Sequence, residues 1–222
     1  IERADALQRL AEGFDGILVT SVPAVGELVP PPQAVQRETL TVETGEEISL
    51  EALADRLLEQ DFSPVEFVEE PGQFARRGGI LDVFPYAGSY PIRIDFFGDE
   101  IDGLREFDPQ TQRSVSRLTT ARLVPNLERE EAARGSIALF QYLPDKAVLA
   151  TLDEAQVREG AQAQFEEAAA AYEERRAELA ENDEVEQTPE DLTPPDDRFL
   201  TGDQMAAALT RHPRLQFGTF SQ

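Results

Sequence analysis

The sequence predicts an α/β protein in which a lobe of alternating helices and strands is discontinuous in the chain and is interrupted by an inserted α+β domain with an antiparallel sheet. Three observations predict it. The apolar run Ile17, Leu18, Val19 follows a helical pattern, and a second run, Ala147, Val148, Leu149, Ala150, precedes one; uninterrupted apolar runs beside helices suit strands of a parallel sheet covered on both faces. Between them, residues 65–107 hold short segments rich in β-branched and aromatic residues and broken by Gly, Pro and Asp, the texture of an antiparallel meander. Parallel-type segments on both sides of a meander imply an insertion, and the expected division is 1–43 and 136–222 for the lobe and 44–135 for the inserted domain.

The elements follow in order. Ala4, Leu7, Leu10 and Ala11 share one helical face over residues 2–12, Asp15-Gly16 turns the chain, and residues 17–19 form a buried strand. Pro30, Pro31 and Pro32 break the pattern before an extended segment at 39–42. Ser49 can cap a helix whose apolar stripe is Leu50, Leu53, Ala54, Leu57 and Leu58. Five strands are expected at 65–68, 74–77, 80–84, 92–97 and 100–107. Beyond Pro125, Asp153 and Gln156 suggest a capping box for a helix buried along Val157, Ala161, Phe165, Ala168 and Tyr172. The acidic, proline-containing stretch 181–197 reads as a solvated or partly disordered linker, 203–211 as a last helix and 215–217 as a last strand.

The chain has 44 acidic and 20 basic residues, a net charge of -24, and Lys146 is its one lysine. Non-specific affinity for nucleic acid needs cations that displace counterions from phosphates, so this composition disfavours DNA binding. It also fits a salty cytoplasm, where screening weakens self-repulsion. No apolar run approaches the roughly 20 residues that span a bilayer, and no signal peptide opens the chain, so a cytoplasmic location without membrane contact is expected. A first residue Ile1 suggests a piece of a longer chain. With no cysteine, disulfides and thiolate metal sites are excluded.

Catalytic chemistry finds little support. A nucleotide-hydrolysing lobe needs a glycine-rich loop ending in Lys and Ser or Thr to hold phosphates, and Lys146 has no such loop before it. Gly78-Gly79 lies between two strands, which makes it a bend and not a phosphate cradle. His212, the single histidine, has no second imidazole to share a metal and reads as a surface residue. Asp99, Glu100 and Asp102 fall at a hairpin turn, where carboxylates serve turn chemistry more readily than a hard cation. No catalytic, cofactor or metal residue is assigned.

One strand carries a possible binding face. In residues 92–97, Ile92, Ile94 and Phe96 point one way and Arg93, Asp95 and Phe97 the other. The second set joins an arginine and a large ring on the exposed side, and either Arg76 or Arg77, beside the glycine bend, can face the same way. Arginine and aromatic residues anchor protein interfaces disproportionately. The plainer alternative is an arginine paired with a neighbouring carboxylate and a ring packed under a loop.

The stretch Glu70-Pro71-Gly72-Gln73-Phe74-Ala75-Arg76-Arg77-Gly78-Gly79-Ile80-Leu81-Asp82-Val83-Phe84-Pro85, continued by residues 91–101 and 107–114, resembles the domain shared by UvrB and the transcription-repair coupling factor family. The forms Arg77-Gly78-Gly79-Ile80-Leu81-Asp82 and Thr111-Gln112-Arg113-Ser114 resemble the coupling factors more than UvrB. The resemblance implies a degenerate RecA-like lobe around a UvrA-binding domain, with the partner-binding positions on Arg77, Arg93 and Phe97 and with Arg76 and Asp95 as neighbours. It implies an adaptor that brings UvrA to stalled RNA polymerase, without catalysis by these residues. ATP and magnesium use, RNA polymerase binding and double-stranded DNA binding would belong to other domains, one of which masks the UvrA-binding face in an autoinhibitory contact. The alternative is the DNA-binding portion of a UvrB-type excision-repair helicase.

Overall fold

The computed structural model describes residues 2–127, 135–181 and 188–217. The chain is a mixed α/β protein with antiparallel, parallel and mixed sheets, and it divides into two compact units. The first contains Ile1–Phe14 and Pro32–Arg134; the second contains Asp15–Pro31 and Gly135–Gln222.

In the first unit, α1 (Glu2–Ala11) lies against α3 (Pro32–Glu38), where the Gln36 side-chain amide donates to the Ala11 carbonyl at 3.1 Å. The strand β1 (Leu40–Glu43) pairs antiparallel along its length with β8 (Thr120–Leu123). Helix α4 (Leu50–Glu59) starts where expected, because the Ser49 hydroxyl accepts from the Ala52 amide at 3.1 Å and satisfies an otherwise orphaned donor. Its Leu50, Leu53, Ala54 and Leu57 are buried, whereas Leu58 is exposed.

The principal sheet has six strands in the order β2 (Ser63–Pro64), β3 (Gln73–Arg77), β4 (Ile80–Phe84), β5 (Ile92–Phe97), β6 (Glu100–Phe107) and β7 (Ser114–Leu118). The β2–β3 pair is parallel and the others are antiparallel. Two hairpins have two-residue turns, Gly78-Gly79 and Gly98-Asp99, and the first turn residue of each has positive φ (60° and 63°). A side chain there would meet strain, which is why glycine stands at both. Alternation sends Leu81, Val83, Ile92 and Ile94 into a core with α4, Ile101, Leu104 and Leu123. Each buried leucine or isoleucine contributes about 2 kcal/mol relative to exposure. On the opposite face a smaller cluster of Val68, Ala75, Phe84 and Phe107 covers only one end.

The second unit holds α2 (Val22–Gly26), a 3-10 turn at Leu139–Tyr142, β9 (Leu149–Thr151), the long helix α5 (Glu154–Glu181), α6 (Gly202–Leu209) and β10 (Arg214–Gln216). Its core joins Val25, Phe140, Ala161, Leu200, Met205, Ala208 and Leu209. Asp153 Oδ1 accepts from the Ala155 and Gln156 amides at the start of α5, and Thr201 with Gln204 forms a capping box at the start of α6. The Tyr142 hydroxyl donates to the Pro30 carbonyl at 2.5 Å.

Three expectations are corrected. Residues 17–19 form no strand, and Ile17 and Val19 are 89% and 87% exposed, because a strand exists only with a hydrogen-bonding partner and no described strand pairs there. Residues 65–68 likewise lie outside β2, and Val68 is buried as a loop residue under the sheet. The 147–150 run is not a buried strand: β9 begins at Leu149, pairs in parallel with β10 alone among the described residues, and leaves Val148 and Leu152 exposed. Part of the expected linker is ordered as 3-10 turns at Pro189–Asp191 and Pro195–Asp197, and residues 182–187 lie outside the described set. Residues 128–134, beside the expected junction at 135–136, also lie outside it. No helix among the described residues is long and apolar enough to cross a membrane.

Candidate functional site

The face of the six-stranded sheet opposite α4 brings together most of the residues singled out in the sequence. The two-residue turn places Arg77 opposite Ile80, so Arg77 and Ala75 share a face with Ile80 and Asp82. The next pairing sets Asp82 opposite Arg93 and Ile80 opposite Asp95. Arg77, Asp82, Arg93 and Asp95 therefore emerge from three adjacent strands on one side.

Asp82 organises the cluster. Its carboxylate is 1% exposed and accepts from Arg93 in a bidentate pair, Nε to Oδ1 at 2.6 Å and Nη2 to Oδ2 at 2.8 Å. Arg77 Nη2 donates to the same Oδ2. Two guanidinium groups thus converge on one buried carboxylate, which compensates the charge that burial would otherwise penalise. The bond to Asp82 raises the Arg93 pKa above the ordinary guanidinium value, against the opposing effect of burial. Each arginine also lies over a ring: Arg93 over Phe107 at 4.3 Å and Arg77 over Phe67 at 5.0 Å.

Gln112 closes the site from the β6–β7 turn. Its Oε1 accepts from Arg93 Nη2 at 2.8 Å and its Nε2 donates to the Pro109 carbonyl at 2.9 Å. The turn is fixed by Asp108, whose carboxylate accepts from the Thr111 and Gln110 amides and is held below its usual pKa by those bonds.

Asp95 and Phe97 continue the face along β5. Asp95 makes a bidentate pair with Arg105 of β6 at 2.5 and 3.1 Å. A register shift between Asp95 and Phe96 marks a bulge; beyond it Phe96 packs inward and Phe97 is 82% exposed at the hairpin tip. Leaving that ring in water forgoes about 2 kcal/mol of burial. Phe97 lies four residues from Arg93, about 13 Å along the strand.

Arg76 does not join this face. It points to the α4 side and pairs with Glu51 at 2.8 Å. Sequence reasoning left Asp82, Phe67, Arg105 and Gln112 without a role, although an aspartate inside the apolar run Ile80–Phe84, opposite an arginine strand, was a usable signal. His212 is half-buried and makes no metal group; among the described residues no cluster of His, Cys, Asp and Glu could hold a metal ion.

Comparison with known proteins bears on the unit that carries this sheet. Residues 40–128 match the model of the UvrB interaction domain, from the first residue of β1 through β8. The chain has homologues among transcription-repair-coupling factors. That of Bacillus subtilis is 34% identical over 137 residues, covering 60% of this chain and 12% of its own length. That of Haemophilus influenzae is 34% identical over 123 residues, 55% of this chain and 11% of its own. That of Myxococcus xanthus is 36% identical over 169 residues, 72% of this chain and 14% of its own. The chain thus spans only a small part of the length of these relatives.

Proposed function

We propose, from the match of residues 40–128 to the UvrB interaction domain, that the outer face of β3 to β6 is a docking surface for UvrA. The chain then acts as the adaptor region of a coupling factor that recruits UvrA to stalled RNA polymerase. One observation carries the reading: an exposed phenylalanine stands on the same sheet face as two arginines braced by a buried aspartate, at the positions the family resemblance marks. Fixed guanidinium groups lose little conformational entropy when a partner binds, and an exposed ring can fill a partner's pocket.

In this reading the residues of this chain bind and do not catalyse. ATP and magnesium use, RNA polymerase contact and duplex DNA binding belong to other parts of a longer cytoplasmic protein. The degenerate RecA-like lobe is the one expected at 1–43 and 136–222, and the parallel β9–β10 pair supports that reading for its returning part. An intramolecular contact masks the docking face until the coupling factor engages polymerase.

A pull-down with purified UvrA tests the reading. The chain is expected to be retained, and Phe97→Ala to weaken binding by about 2 kcal/mol, roughly 30-fold, with the fold intact. No retention of the parent chain, or equal retention of Phe97→Ala, contradicts it. Phe97 is the cleaner probe, because the Arg93 side chain is only 13% exposed and its removal also disturbs Asp82.

A further inference from the structure

The sheet register sets Asp82 of β4, Arg93 of β5, Arg105 of β6 and Arg117 of β7 directly opposite one another in sequence. Three consecutive arginines therefore occupy one cross-strand row, with neighbouring strands about 4.8 Å apart. Like charges directly opposite destabilise a sheet unless they are compensated. Arg93 is compensated by Asp82 and Arg105 by Asp95. Arg117 is exposed and makes no ion pair or hydrogen bond with any described residue. In a chain with 44 carboxylate residues, its guanidinium stands beside another arginine with no carboxylate partner among the described residues. Two residues earlier, where the register of β7 shifts against β6, Val115 is 48% exposed.

We infer that the docking face extends across β6 to the outer strand β7, with Arg117 as a specificity-determining residue that pairs with a carboxylate of the partner protein. The inference rests on the docking reading above and enlarges it by one strand. Protein carboxylates fit better than nucleic-acid phosphates. On this face Arg77, Arg93, Arg105 and Arg117 oppose Asp82, Asp95 and Glu100, a small positive excess on a body of charge -24. A duplex binder neutralises more phosphates than that excess allows, and the acidic body repels the rest. A bidentate guanidinium–carboxylate pair needs only one well-placed cation. Edge strands also carry charges merely to block strand addition, a role that would leave partner affinity unchanged.

The test is a binding titration of the whole chain with purified UvrA at two salt concentrations, using the parent, Phe97→Ala, Arg117→Ala and Arg117→Glu, with a thermal melt of each. Arg117→Ala is expected to weaken binding about fivefold and Arg117→Glu at least about tenfold, with a shallower salt dependence and unchanged melting. Weak binding by Phe97→Ala with parent-like binding by Arg117→Glu overturns the extension and leaves the docking reading standing. Parent-like binding by Phe97→Ala, or none by the parent, defeats both. A loss by Arg117→Glu confined to retention on duplex DNA also overturns the inference, since the row would then be reading phosphate.

Discussion

Asp82 is the residue on which the candidate site depends. Its carboxylate is buried between two guanidinium groups, so Asp82→Asn keeps its shape and removes the charge both arginines need. That substitution is expected to lower unfolding stability by about 2 kcal/mol, less than for a fully enclosed pair because the arginines can reach water. Asp95→Asn, at a more exposed pair with Arg105, should lose less than about 1 kcal/mol. Urea unfolding of the two variants side by side checks this, and equal losses would contradict it. The alternation of β5 was legible, so Arg93, Asp95 and Phe97 could be placed on one face from residues alone. The choice between Arg76 and Arg77 was not. Both faces of β4 are mostly apolar, and only the register made by the Gly78-Gly79 turn assigns Arg77 to Asp82 and Arg76 to Glu51. Gln112 was legible only as part of a family signature; its contact with Arg93 depends on a turn that returns it across the sheet.

At the scale of elements, caps and hairpin glycines were readable because they act locally: Ser49 and Asp153 each bond amides within three residues. Strands were less readable, since an apolar run acquires that structure only from a partner. Among the described residues, 17–19 lack one and β9 has β10 alone. Tyr142 offers a test of how the second unit is held. Burial pushes its hydroxyl up to about 12, above the usual value of 10.0, and the protonated hydroxyl bonds Pro30. A folded-state pKa above the unfolded one means that the contribution is complete below pH 10.0 and is lost as pH rises toward about 12. Thermal melts over that range should show alkaline destabilisation that is smaller in Tyr142→Phe, which has no proton to lose. The same pH dependence in both proteins would contradict the assignment.

At the scale of the whole molecule, the chain carries two compact units with separate cores, and the site lies entirely on one. That a meander lies between two other segments was legible, because a change of hydrophobic period survives in sequence. The partition at residues 14 and 31 was not, because it follows from the packing of α1 on α3 and the closure of β1 by β8. On the proposed docking reading, a chain with net charge -24 that nevertheless gathers arginines on one sheet face is arranged for a particular protein partner and not for nucleic acid in general. Amide hydrogen exchange of the chain with and without UvrA tests this most directly. Binding should slow exchange in the β5–β6 hairpin, residues 92–107, and leave α4 on the opposite face unchanged. Slowed exchange in α4 with an unaffected hairpin, or no change anywhere, would contradict the account.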